Sequence, residues 1–238
     1  MSKNLIINEF LCNYENGINE IKLKDLLALR EKFNNQYHIN SMFPPIEIGS
    51  ITLVDQIVLL SLIDIFKPAS IVEIGTYLGY TTSLFAMNSD AKIITIDLPA
   101  AKDSGTEWSF DPTKILKDGD QNDNFLRVQQ NSQGLKYISK LSEDQKKRIE
   151  FVKEDSTEIS FKDRFGSTDM IFIDGGHNYS IVQQDTKNAE SCVDRGVIVW
   201  HDYGSNLHSG VNTLLRENTS KKIFHISGSL CAFSFQGY

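Results

Sequence analysis

The spacing of apolar positions separates a mixed N-terminal stretch from a long, regularly alternating remainder. Leu23, Leu26, Leu27 and Arg30 follow helical spacing with charges on the opposing face, so residues 1–49 read as helical material. Phe43-Pro44-Pro45 then forces an extended turn. Residues 50–66 are apolar on most sides, as in a buried helix, with Thr52 and Asp55 in capping-box positions and Pro68 closing it. Beyond this point short apolar runs alternate with helical segments. Ser70–Ile74, Lys92–Asp97, Ile149–Lys153, residues 169–174 and Gly196–Trp200 read as strands, and residues 81–87, 179–193 and 211–217 as helices. Such alternation predicts a parallel sheet with both faces covered. Lys222–Ile226 and residues 230–235 follow as two strands joined by Ser227-Gly228-Ser229, a link short enough only for an antiparallel hairpin. The expected fold is α/β and doubly wound, a seven-stranded, mostly parallel sheet ending in an antiparallel hairpin. The expected organisation is a helical cap or extension over residues 1–49 and one domain over residues 50–238.

One segment breaks the rhythm: 51 residues separate Asp97 from Ile149, where a single helix would suffice. Its first part is polar and turn-rich and contains Trp108, Phe110, Pro112 and Asp118-Gly119-Asp120. Long insertions near strand ends are often functional loops, so a lid or substrate-binding loop is one reading and a surface insertion the other.

Composition narrows the class. At 238 residues, 40% of them hydrophobic, the chain can bury one full core. A formal net charge of −7 gives no overall field favouring nucleic acid or an anionic membrane. No apolar run is long enough to span a bilayer, and the N-terminal residues lack the apolar region and cleavage site of a secretory signal. Cys12, Cys192 and Cys231 are odd in number and widely spaced, so neither a disulfide framework nor a metal-type pair follows. A reducing, cytoplasmic setting is expected; self-association is left open.

Five clusters carry the candidate chemistry. In Val72-Glu73-Ile74-Gly75-Thr76-Tyr77-Leu78-Gly79-Tyr80-Thr81-Thr82 a strand ends in Gly75 and Gly79 opens a helix. Glycines let the backbone approach a ligand, and free amides at a helix start attract an anionic group. The spacing meets neither the dinucleotide fingerprint nor the P-loop pattern, which disfavours a dinucleotide-dependent oxidoreductase. Glu73 would repel a pyrophosphate but suit the ammonium of an amino acid. Asp97 ends the next strand, 22 residues after Gly75, where an acid accepts hydrogen bonds from ribose hydroxyls. Asp155-Ser156 follows the third strand, where a polar pair could read an adenine edge. Singly, Asp155 reads as a cap or turn residue; the coincidence of these groups at the ends of three successive strands favours a ligand site. Asp174-Gly175-Gly176-His177 and Trp200-His201-Asp202-Tyr203 end two further strands, so Asp174, His177, His201 and Asp202 can converge on one pocket. An imidazole is a natural general base for an acceptor hydroxyl.

With these motifs the chain, from about residue 50 onward, resembles a class I S-adenosylmethionine-dependent methyltransferase of Rossmann-like fold. The stretch from Val72 to Gly79 resembles the family's first motif, Asp97 its ribose-binding acid, and Asp155-Ser156 its adenine-contacting pair. Asp174-Gly175-Gly176-His177 and Trp200-His201-Asp202-Tyr203 are similar to small-molecule O-methyltransferases of the macrocin type, and the Gly75–Gly79 region also to the catechol type. The resemblance implies S-adenosylmethionine as cofactor, held by Glu73, Gly75, Thr76, Gly79, Thr81, Asp97, Asp155 and Ser156. It implies a small hydroxylated acceptor, a sugar or a phenol, with His177 as base and Asp174 orienting the acceptor oxygen. It also implies a divalent metal, magnesium or manganese, at Asp174, His201 and Asp202; His201 is softer than magnesium prefers. A hydroxylase-like relative with a redox metal at Asp174 and Asp202, or a non-catalytic S-adenosylmethionine-binding module, are the alternatives. Trp108, Phe110 and Tyr179 could stack on an acceptor ring or simply pack.

Overall fold

The structure, a computed structural model, describes residues 2–36, 38–42, 49–99 and 135–238. The proline turn at residues 43–45 and the polar part of the long insertion, with Trp108 and Phe110, lie outside the described residues. In chain order the described elements are α1 (Lys3–Leu11), β1 (Gly17–Ile21), α2 (Leu23–Glu31), α3 (Leu53–Phe66), β2 (Ser70–Ile74), α4 (Tyr80–Asn88), β3 (Lys92–Asp97), α5 (Leu135–Ile138) and α6 (Glu143–Lys146). They continue with β4 (Ile149–Lys153), a 3-10 turn (Ser156–Glu158), α7 (Phe161–Phe165), β5 (Met170–Ile173), α8 (Tyr179–Cys192), β6 (Gly196–Trp200), α9 (Ser209–Glu217), β7 (Lys222–Ile226) and β8 (Ala232–Gln236).

The strands form one sheet in the order β1-β7-β8-β6-β5-β2-β3-β4. Pairings from β6 through β4 are parallel, and β8 runs antiparallel between β6 and β7. This is the expected doubly wound, Rossmann-like architecture with its C-terminal hairpin. It carries one strand more than the seven expected. β1 comes from the segment read as helical and pairs in parallel with β7, Gly17 opposite Lys222 and Ile21 opposite Ile226. Its sequence, Gly-Ile-Asn-Glu-Ile, has no period-two apolar pattern, and pairing to the sheet edge decides its conformation over local propensity.

Strand alternation feeds two cores. Ile71, Ile93, Phe172 and Val199 join one cluster with side chains of α1 to α4. Their neighbours Val72, Ile94, Ile171 and Ile198 join the other with α7, α8 and α9. Side chains of successive strand residues point to opposite faces, so β2, β5 and β6 are buried on both faces along nearly their whole length. The capping box at α3 forms as its sequence predicts: Thr52 Oγ1 accepts the Asp55 N–H at 3.2 Å and Asp55 Oδ2 accepts the Thr52 N–H at 2.8 Å. Lys67, in the left-handed region at φ 46°, ends the helix before Pro68. Among the described residues, no helix is long and apolar enough to cross a membrane.

Candidate active site

In the order β6-β5-β2-β3-β4 the chain winds one way from β2 to β3 and β4 and the other way to β5 and β6. The crevice at the carboxyl ends of β2 and β5 is therefore the topological switch point, where open α/β sheets bind ligands. Gly75 sits at that crevice with φ 95°, and a Cβ there would strike the backbone carbonyl of Asp174. Only glycine lets the two strand ends approach so closely.

On one side of the crevice lies a cradle built from β2, the start of α4 and the end of β3. Gly79, also at positive φ, turns the chain into α4 and donates its N–H to the Thr76 carbonyl at 2.7 Å. Asp97 Oδ2 accepts the Tyr77 N–H at 3.0 Å and Oδ1 the Leu98 N–H at 2.9 Å, so the acid at the end of β3 is fixed against the glycine loop. Thr76 Oγ1 and Thr95 Oγ1 lie 2.6 Å apart, and Thr81 is buried in the first turn of α4. Glu73 behaves differently from the expectation that its carboxylate faces a ligand ammonium. It is wholly buried, and its Oε2 accepts from Thr95 Oγ1 at 2.6 Å and from Thr82 Oγ1. Burial, with the nearby charges of Asp174 and Asp97, pushes its pKa up to about 8 against the pull of the two threonine hydroxyls. Strand alternation points this side chain into the protein beneath the loop.

Farther along the sheet, Asp155 is exposed and caps the 3-10 turn, its Oδ1 accepting the Thr157 N–H at 2.9 Å and the Thr157 hydroxyl at 2.7 Å. Ser156 is buried, and its carbonyl accepts Asn188 Nδ2 from α8 at 3.0 Å.

On the other side of the crevice, four sequence-predicted residues do come together. Asp174 follows β5, and His201 and Asp202 follow β6, with the His201 N–H bonded to the Ile173 carbonyl at 2.9 Å. His201 Nδ1 lies 3.1 Å from Asp174 Oδ1 and 3.1 Å from Asp202 Oδ2, and its Nε2 lies 3.3 Å from Asp55 Oδ2. His177 Nε2 lies 2.8 Å from Asp202 Oδ2. Asp202 holds a left-handed backbone at φ 61°, an uncommon state for a non-glycine residue and one that concentrates at functional sites. Asp174, Gly175, Gly176, His177 and His201 line a small cleft together with Trp200.

Two participants escaped the sequence reading. Asp55 stands out in sequence only as a helix cap, yet it reaches His201 across 146 residues. His208 stacks on His177 with ring centroids 3.9 Å apart, and its Nε2 lies 3.7 Å from Asp202 Oδ1. The loop carrying it is tied by Asn212 Nδ2, which bonds the Ser205 and His208 carbonyls at 2.8 and 3.1 Å. Nothing in its sequence neighbourhood marks His208 as a site residue.

The electrostatics follow from packing three acids around one imidazole. Burial opposes the charged form of His201, but Asp174 and Asp202 outweigh it and hold its pKa well above the usual value. Burial would likewise raise Asp202; the charge of His201 and the hydrogen bonds of His177 and His201 hold it well below the usual carboxylate range. Asp174 is raised, chiefly by burial.

Asp174, His201 and Asp202 also offer one donor atom each, all within 4.8 Å of one another. The set fits a divalent ion: two carboxylate oxygens and one imidazole nitrogen, with the far imidazole nitrogen on a carboxylate.

Comparison with known proteins decides the family. A family profile described as a methyltransferase domain matches residues 72–203, more than half of the chain. The chain belongs to this methyltransferase family. The matched span of the methyltransferase begins on β2 and closes just after Asp202, so it contains the cradle and the cleft together. Among solved structures it is similar to Rv0187 from MTB in a cofactor-bound form, at 13% identity and a TM-score of 0.53, covering 90% of this chain and 89% of that one. It is similar to the SAH-bound methyltransferase PaMTH1 of Podospora anserina, at 12% identity and a TM-score of 0.51, covering 97% and 93%. It is also similar to the O-methyltransferase TomG of Streptomyces achromogenes in complex with SAM, at 16% identity and a TM-score of 0.50, covering 78% and 80%. At such identities these likenesses speak for the fold. A search of curated proteins found no match.

Proposed function

We propose that the methyltransferase transfers a methyl group from S-adenosylmethionine to a hydroxyl oxygen of a small acceptor, by direct displacement. The observation that carries this reading is the shared crevice. A glycine loop with a fixed acid, Asp97, lies on one side of Gly75, and the histidine–carboxylate cleft lies on the other. The SAM held by TomG and the SAH held by PaMTH1 support the choice of cofactor, and the O-methyltransferase activity named for TomG supports oxygen as the accepting atom.

The sulfonium already activates the methyl group, so the protein has to align the acceptor and take its proton. Gly75, Thr76, Gly79 and Thr81 would offer backbone and hydroxyl groups to the cofactor's amino-acid end, Asp97 would accept from its ribose, and Ser156 would lie toward its adenine. Glu73 would act from beneath, fixing the loop through Thr82 and Thr95. In the tautomer that donates Nε2–H to Asp202, His177 Nδ1 is the basic atom, and Asp202 stabilises the imidazolium that forms on proton transfer. A divalent ion at Asp174, His201 and Asp202 would supply a positive charge that orients the acceptor oxygen and eases its deprotonation. The same proposal takes residues 50–238 as the methyltransferase domain, residues 1–49 as an extension adding a strand to its sheet, and the cytoplasm as its setting.

The test is transfer of labelled methyl from S-adenosylmethionine to a panel of sugars and phenols, with and without Mg²⁺ or Mn²⁺. Labelled product sensitive to His177→Ala supports the reading. Cofactor binding with no transfer to any hydroxylated acceptor would instead favour a binding module.

A further inference from the structure

His201 is where this chain departs from an all-oxygen metal site. Its Nδ1 faces Asp174 Oδ1 and Asp202 Oδ2 at equal distances of 3.1 Å, and its Nε2 faces Asp55 Oδ2 at 3.3 Å. A carboxylate on the far nitrogen of a ligating imidazole fixes its tautomer and ring orientation and raises its basicity. Asp55 is built for such a role. It is wholly buried, and Oδ1 accepts Ser229 Oγ at 2.6 Å and the Leu230 N–H at 2.8 Å, while Oδ2 accepts the Thr52 N–H at 2.8 Å. These bonds leave the carboxylate one orientation, with Oδ2 toward His201. Asp55 arrives from α3, outside the residues matched by the family profile. On the opposite flank, His177 and His208 approach the two oxygens of Asp202 and orient that carboxylate in turn.

We propose that Asp55 is a positioning residue that holds His201 Nδ1 toward Asp174 and Asp202, and that this set selects a divalent first-row transition ion over magnesium. Magnesium favours oxygen donors and keeps its water shell, whereas imidazole affinity rises along the series from manganese through cobalt. The inference rests on reading this cleft as the acceptor end of a methyltransferase.

Wild type and Asp55→Asn are titrated with Co²⁺ and Mg²⁺, following the visible absorption of bound cobalt and the heat of binding. S-Adenosylmethionine is titrated into the same samples. Cobalt should bind wild type at least about tenfold more tightly than magnesium, and Asp55→Asn should lose about 10- to 100-fold in cobalt affinity. Magnesium binding as tightly as cobalt, or cobalt affinity unchanged in Asp55→Asn, overturns the proposal. Asp55 also caps α3, so a variant that does not fold shifts the decision to zinc-loaded wild type. There, histidine proton–nitrogen correlation spectra must show the Nε2–H tautomer for His201, and Nδ1–H overturns the proposal. Failure of these arms with S-adenosylmethionine binding intact removes the metal selection alone; loss of cofactor binding in wild type removes the underlying reading.

Discussion

Replacing Glu73 with Gln isolates the effect of burying an acid beneath the cofactor loop. Gln has the shape of the protonated acid, and its amide oxygen can keep the bonds from Thr82 and Thr95. Glu73 Oε1 has no hydrogen-bond partner among the described residues, so the amide NH₂ enters a place already without one. The folded-state pKa is raised from 4.5 to about 8, mainly by burial. The folded protein therefore holds a proton that the unfolded chain releases. The resulting stability is fully present below the unfolded value and is lost as pH rises through the folded one. Within that window wild type should lose about 1.4 kcal/mol per pH unit relative to Glu73→Gln, or about 3 kcal/mol between pH 5 and 7.5. Groups common to both proteins cancel in the difference. Urea unfolding of both at pH 5, 6, 7 and 8 measures it, with wild type losing ground steadily. Parallel stability profiles across that range would show that Glu73 is ionised in the fold and refute the reasoning.

Two further outcomes follow from the same geometry. Gly75→Ala combines a positive φ with a Cβ driven into the Asp174 carbonyl, and should cost about 2–5 kcal/mol of stability, read by urea unfolding; a cost under about 1 kcal/mol would mean that β2 and β5 part easily. His177→Ala should lower kcat by about 100-fold or more while leaving the S-adenosylmethionine Kd within about threefold, measured by methyl transfer and calorimetry; unchanged kcat would remove His177 from proton transfer.

Much of this was legible in the sequence where local pattern and long-range packing agree. The central strands β2, β5 and β6 announce themselves as short, mostly apolar runs, because each is buried on both faces. The capping box of α3 is equally local. β1 was not legible, since Asn19 and Glu20 interrupt any apolar alternation and only the edge of β7 makes the segment a strand. The convergence of Asp174, His177, His201 and Asp202 could be inferred because neighbouring parallel strands deliver them to one end of the sheet. What each side chain faces could not. Glu73 points under the loop instead of out of it, Asp55 serves a histidine far away in sequence, and His208 reaches His177 through a loop held by Asn212.

The central claim is that the Gly75–Gly79 cradle with Asp97 holds S-adenosylmethionine. Calorimetric titration of wild type and Asp97→Ala with that cofactor tests it most directly. Losing a charged acceptor for ribose hydroxyls should weaken binding about 10- to 100-fold, while wild type binds at a single saturable site. Absence of binding to wild type, or equal affinity in Asp97→Ala, would contradict the account.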